Sequence, residues 1–194
     1  MHNLPNILST LRMLLAPIFL FMYIQDELIW RSLSVAVFAV AAFTDYFDGK
    51  IARKYEIETE FGVFLDPLAD KFLTFAGFFI LPFLDPSQFP WWAVIAIVIR
   101  DVVVTALRIF AKRRNMHLVT RFTAKAKTMV QMIFLYVMIL LGVFIQADID
   151  FADDALRFFN SGILYYVMMF VTALTVYSGI EYLYLNRELF KKAG

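Results

Sequence analysis

Residues 45–70 read D-Y-F-D-G-K-I-A-R-K-Y-E-I-E-T-E-F-G-V-F-L-D-P-L-A-D, and the fold turns on whether the acids in this stretch share helix faces. Asp45, Asp48, Gly49 and Ala52 are spaced i, i+3, i+4 and i+7, so a helix running through them places all four on one face. Gly62, Asp66 and Asp70 follow at i, i+4 and i+8, again one face of a helix. Tyr55 to Glu60 is then a short turn, and an antiparallel helix pair brings four carboxylates to one point.

The sequence around this stretch is apolar. Of the 194 residues 61% are apolar or aromatic, with 22 Phe, where an ordinary soluble domain carries roughly 45–50% apolar residues. Disorder, a disulfide-stapled module and a soluble enzyme are thereby excluded. With 18 Lys+Arg against 17 Asp+Glu the net charge is +1, so no global field favours nucleic acid and no nucleic-acid partner is expected. The absence of cysteine removes thiol nucleophiles and thiolate metal sites. Two histidines, His2 and His117, are too few for a histidine-rich metal site.

A membrane-crossing helix needs about 20 residues. The apolar runs predict six spans, at residues 7–24, 33–52, 61–84, 91–112, 129–147 and 158–180. The last two carry no charge, whereas the others become full-length only when charged residues at one end are included. Charges inside a span are costly, by about 2.5–3.5 kcal/mol each on insertion scales, and normally face a polar cavity. The expected fold is therefore all-α, a polytopic membrane protein of six transmembrane helices forming one domain over residues 1–194. The connections alternate in charge: Lys50, Arg53 and Lys54, then six Lys/Arg from Lys112 to Lys127, then Arg187, Lys191 and Lys192 lie on one side. By the positive-inside rule both termini and the aspartate cluster face the cytosol of a cell membrane. The first apolar run carries Arg12 and Pro17 and lacks a basic leader, so it is not expected to be a signal peptide.

Four clustered acids repel one another unless a cation neutralises them. Hard oxygen donors without His or Cys select Mg²⁺, Mn²⁺ or Ca²⁺. Four carboxylates suit a pair of ions roughly 3.5–4 Å apart, the arrangement that serves in-line displacement at phosphorus. Gly49, Ala52 and Gly62 leave the face without bulk, and Arg53 adds a planar donor fork suited to phosphate. A lone acid at a helix end is ordinarily solvated, and small residues in membrane helices ordinarily mark packing. Four such acids at one membrane edge have no inexpensive structural explanation.

The pattern D-x2-D-G-x2-A-R-x8-G-x3-D-x3-D resembles the signature of the CDP-alcohol phosphotransferase family, matched without a gap by Asp45, Asp48, Gly49, Ala52, Arg53, Gly62, Asp66 and Asp70. The resemblance implies a six-helix membrane enzyme, a homodimer, that moves a substituted phosphate from a CDP-linked donor to an alcohol and releases CMP. It further implies that Asp45, Asp48, Asp66 and Asp70 hold two divalent metals, Mg²⁺ or Mn²⁺, and that Asp70 is the general base. Gly49, Ala52, Arg53 and Gly62 then line the cytidine diphosphate site.

Within the family the rest of the chain is most similar to the branch that uses CDP-diacylglycerol and glycerol 3-phosphate. Asn3 to Arg12 resembles the N-I-P-T-L-L-T-L-x-R opening of that branch, Ile99-Arg100-Asp101 through Thr105 and Leu107-Arg108 resembles I-R-E…T-x-L-R, and Ala124 to Thr128 resembles G-K-x-K-T. Asp101 replaces Glu and Ala124 replaces Gly. Arg100 and Arg108 on the fourth span, with Lys125 and Lys127 at the start of the fifth, are the expected acceptor-phosphate cations, since a dianion needs such a pocket and free serine does not. Arg100 lies inside an apolar run, so it should face Asp101 or a ligand. The alternatives are another acceptor such as inositol phosphate or serine, or a divalent-cation transporter. A transporter site belongs nearer the bilayer midplane than this cluster.

Overall fold

The computed structural model describes residues 4–55, 60–114, 121–147 and 152–187; within these ranges the side chains of 4–8, 45–55, 60–68, 70, 112 and 113 lie outside the description. Seven α-helices form among the described residues: α1 Leu4–Tyr23, α2 Leu28–Tyr55, α3 Glu60–Leu84, α4 Trp91–Arg113, α5 Phe122–Gln146, α6 Ala152–Asn160 and α7 Ile163–Leu185. No strand occurs among them, in keeping with the all-α expectation. Six of the helices fall on the six expected apolar runs. The seventh, α6, takes the first residues of the run expected to start at Phe158. That run breaks because Gly162 adopts φ 74°, a left-handed turn that glycine alone enters without steric strain. The last long helix therefore begins at Ile163, while the fifth starts earlier than expected, at Phe122 rather than Met129.

Two helices, Phe122–Gln146 and Ile163–Leu185, are long and apolar enough to cross a bilayer, and they are the two whose expected spans carried no charge. Among the described side chains, α1, α2 and α3 carry apolar stretches at Ser9–Tyr23, Leu28–Thr44 and Lys71–Leu84.

Helix α1 packs against α2 and α3, α4 against α7, and α5 against α6 and α7. The core between them is aromatic and aliphatic, with Phe19 and Phe38 in contact at 4.8 Å between ring centroids and Phe134 bridging Phe78 and Phe89. Large apolar side chains also face outward, and some polar ones face inward. Phe21, Phe43, Phe122, Tyr166 and Phe170 are exposed, whereas Asp101, Lys127, Gln131, Thr175 and Ser178 are buried. An apolar exterior suits a lipid solvent, in which buried polar groups must find partners inside the protein.

The turn from α3 to α4 is organised by Asp85, whose Oδ1 accepts hydrogen bonds from the Ser87 amide at 2.8 Å and the Ser87 hydroxyl at 2.6 Å. Its Oδ2 accepts from Gln88 Nε2 at 3.0 Å. Burial pushes the Asp85 carboxyl up, but the bonds from Ser87 and Gln88 outweigh it and hold the group below its ordinary value.

Candidate functional site at the charged ends of the helices

Helix α2 runs unbroken through Asp45, Asp48, Gly49, Ala52 and Arg53, and α3 through Gly62, Asp66 and Asp70. The backbone thus has the helical periodicity that puts each set on one face. Their side chains lie outside the described residues, as does the connection 56–59. The donor set, four carboxylates without nitrogen or sulfur, fits hard divalent ions.

One residue beyond Asp70 the side chains are described, and a charged cluster begins. Asp101 of α4 is 1% exposed, as is Lys127 of α5. Lys127 Nζ donates to Asp101 Oδ1 at 2.5 Å, and Arg100 Nη1 donates to the same oxygen at 2.8 Å. Lys71 Nζ of α3 lies 3.6 Å from Oδ2, an ion pair too long for a hydrogen bond. Arg100 Nη2 donates to Ser178 Oγ of α7 at 2.9 Å, and the Ser178 hydroxyl donates to the Thr175 carbonyl. Helices α3, α4 and α5 therefore meet at one carboxylate, and Arg100 ties α7 to them. The Arg100 stem fits because residue 179 is glycine: a Cβ there would stand 2.7 Å from Arg100 Cγ.

The four expected acceptor cations divide into two pairs. Arg100 and Lys127 close on Asp101, while Arg108 and Lys125 line an open cavity of about 440 Å³ between α4 and α5, with Ala124, Thr128, Met129 and Met132. Helix geometry explains the split at α5, because two residues advance a helix by about 200° and turn Lys125 and Lys127 to opposite faces. The Arg108 guanidinium lies over the Tyr182 ring, 5.6 Å from its centroid. The adjacent Glu181 accepts from Arg121 Nη1 at 3.1 Å and from the Thr123 hydroxyl, clamping the start of α5 to the end of α7.

Sequence reasoning missed Lys71, Ser178 and Tyr182. Lys71 carried a signal, a cation directly after the last aspartate of the series. Ser178 and Tyr182 carried none, being ordinary residues of an apolar helix until α7 packs on α4.

The family described as CDP-alcohol phosphatidyltransferase matches residues 2–177, all but the last turns of α7 and the C-terminal tail. A "Probable phosphatidylglycerophosphate synthase" of Mycobacterium tuberculosis (strain ATCC 25618 / H37Rv) is 39% identical over 132 residues. That alignment covers 66% of this chain and 62% of the relative, so the match spans somewhat under two thirds of that protein. The "CDP-diacylglycerol--glycerol-3-phosphate 3-phosphatidyltransferase" of Bacillus subtilis (strain 168) is 35% identical over 207 aligned positions that cover 100% of both chains. The protein of that name from Rickettsia bellii (strain RML369-C) is 35% identical over 139 residues, 72% of this chain and 76% of the relative.

Proposed function

The chain belongs to the CDP-alcohol phosphatidyltransferase family, and from that premise we propose that it transfers the phosphatidyl group of CDP-diacylglycerol to glycerol 3-phosphate, giving phosphatidylglycerol phosphate and CMP. The observation that carries this choice of acceptor is the set of cations that α3, α4 and α5 bring together. Lys71, Arg100 and Lys127 surround a single carboxylate, and Arg108 and Lys125 add two more charges at an open cavity. A phosphorylated alcohol carries an anion that such cations bind, whereas free serine carries no phosphate. The relatives named for glycerol 3-phosphate transfer support the same reading.

In this reading Asp45, Asp48, Asp66 and Asp70 hold two divalent ions, Mg²⁺ or Mn²⁺, which when bound supply charge neutralisation to the diphosphate and the leaving group. The face of Gly49, Ala52 and Gly62 admits the cytidine, and Arg53 donates to the diphosphate. Arg108 and Lys125 receive the acceptor phosphate from water, both being exposed. Arg100 and Lys127 hold their positive field beneath it. Asp70 takes the proton of the acceptor's primary hydroxyl, and that oxygen attacks the lipid-side phosphorus. The bond to the CMP oxygen breaks as the new one forms. The six long helices cross the cell membrane with both termini and the site cytosolic, and two chains form a homodimer.

The test is product identity. The purified protein, given CDP-diacylglycerol and an equimolar mixture of glycerol 3-phosphate, inositol phosphate and serine, should yield phosphatidylglycerol phosphate as the main lipid product by mass spectrometry. A product carrying inositol phosphate or serine instead would move the acceptor and reject this reading.

A further inference from the structure

We propose that Asp101 is a positioning residue: its buried carboxylate fixes Lys71, Arg100 and Lys127 in one array, locking the aspartate-bearing helix α3 to the cation-bearing helices α4 and α5. This rests on the reading of the site as a phosphoacceptor pocket and adds to it a residue that touches neither substrate.

Stoichiometry supports this role. An ion pair kept for packing alone would match one cation to one anion, because an unbalanced buried charge destabilises the fold. Among the described residues three cations share one carboxylate, and both Asp101 and Lys127 are 1% exposed.

Geometry points the same way. Asp101 engages Lys127 and Arg100 through Oδ1 alone. Among the described residues its Oδ2 receives no hydrogen bond, and Lys71 stands 3.6 Å away from it. Lys71 is therefore held near by charge while its N–H groups stay uncommitted to that carboxylate. Ser178 fixes the far side of Arg100, and Gly179 gives the Arg100 stem its room. Such an arrangement orients donors without saturating them, which is how a supporting shell presents a binding group. Lys71 also directly follows Asp70 on α3, so the array holds α3 at the residue next to the aspartate series.

The experiment is steady-state kinetics of the full-length protein in mixed micelles, with glycerol 3-phosphate and CDP-diacylglycerol varied in turn. Asp101→Asn keeps the shape and removes the charge. We expect the KM for glycerol 3-phosphate to rise about tenfold or more, the KM for CDP-diacylglycerol to stay within about twofold, and Asp101→Glu to restore most of the loss. If Asp101→Asn does not yield folded protein, Lys71→Gln reads the same array and should raise the acceptor KM alone. An acceptor KM unchanged in the folded variant, or donor and acceptor KM values that rise together, overturns the inference. A wild-type protein that ignores glycerol 3-phosphate overturns the functional reading and this inference with it, an outcome distinct from an active wild type with an indifferent variant.

Discussion

Arg31 and Asp101 anchor two polar clusters in the same bundle, and their partners differ in kind. The Arg31 guanidinium donates to backbone carbonyls, to Tyr23 at 3.2 Å, Gln25 at 3.4 Å and Gly142 at 3.5 Å, and lies 5.4 Å from the Tyr23 ring centroid. The Tyr23 hydroxyl in turn donates to the Ile139 carbonyl at 2.9 Å. This clasp joins α1, α2 and α5 with carbonyl dipoles and an aromatic face. At Asp101, α3, α4 and α5 meet through full charges instead, and among the described residues three cations meet one carboxylate whose Oδ2 accepts no hydrogen bond. Saturated dipoles hold a structure together at rest; surplus charge and spare donors are what a site keeps for a ligand. The contrast separates a cluster that maintains the fold from the cluster beside the proposed site.

Substitutions at four positions put this contrast at risk. The largest effect is expected for Lys127→Met, which removes the buried partner of Asp101: kcat/KM for glycerol 3-phosphate should fall about a hundredfold. If only the melting temperature fell, with kinetics intact, the Asp101 cluster would be a structural clasp like that of Arg31. Gly179→Ala comes next. Its Cβ would stand 2.7 Å from Arg100 Cγ and must displace that side chain, so about a tenfold loss of kcat/KM should accompany it. At the Arg31 clasp, Tyr23→Phe should destabilise the protein by about 1 kcal/mol, read by chemical denaturation in micelles, and leave both KM values unchanged. A kinetic defect there would erase the distinction. The smallest effect belongs to Tyr182→Leu, which removes the ring beneath Arg108 and should raise the acceptor KM about threefold, while Tyr182→Phe keeps wild-type values.

The parts of this architecture that were legible in the sequence share a cause: they depend on spacing within one helix. The i, i+3, i+4, i+7 run from Asp45 and the i, i+4, i+8 run from Gly62 are readable from residue order alone, and α2 and α3 do run through them. The charge-free stretches that became α5 and most of α7 were readable for the same reason. Hydropathy read straight through Gly162, however, because one glycine in an apolar run carries no marker of its φ. The division of the basic residues needed helix phase as well as composition, since Lys125 and Lys127 are near neighbours in sequence yet one lines the cavity and the other meets Asp101. Ser178, Glu181 and Tyr182 became visible only when α7 docked beside α4 and α5, a tertiary event with no local signature. Arg100 sits between the two cases, because a cation within an apolar run demands a partner, and Asp101 and Ser178 meet that demand.

The proposed reaction is tested most simply by CMP release from CDP-diacylglycerol by the purified protein with Mg²⁺ or Mn²⁺, measured with and without glycerol 3-phosphate. Release should require both the divalent ion and glycerol 3-phosphate and should be lost in Asp70→Asn. Release at the same rate without glycerol 3-phosphate, or only with an uncharged alcohol, would contradict it.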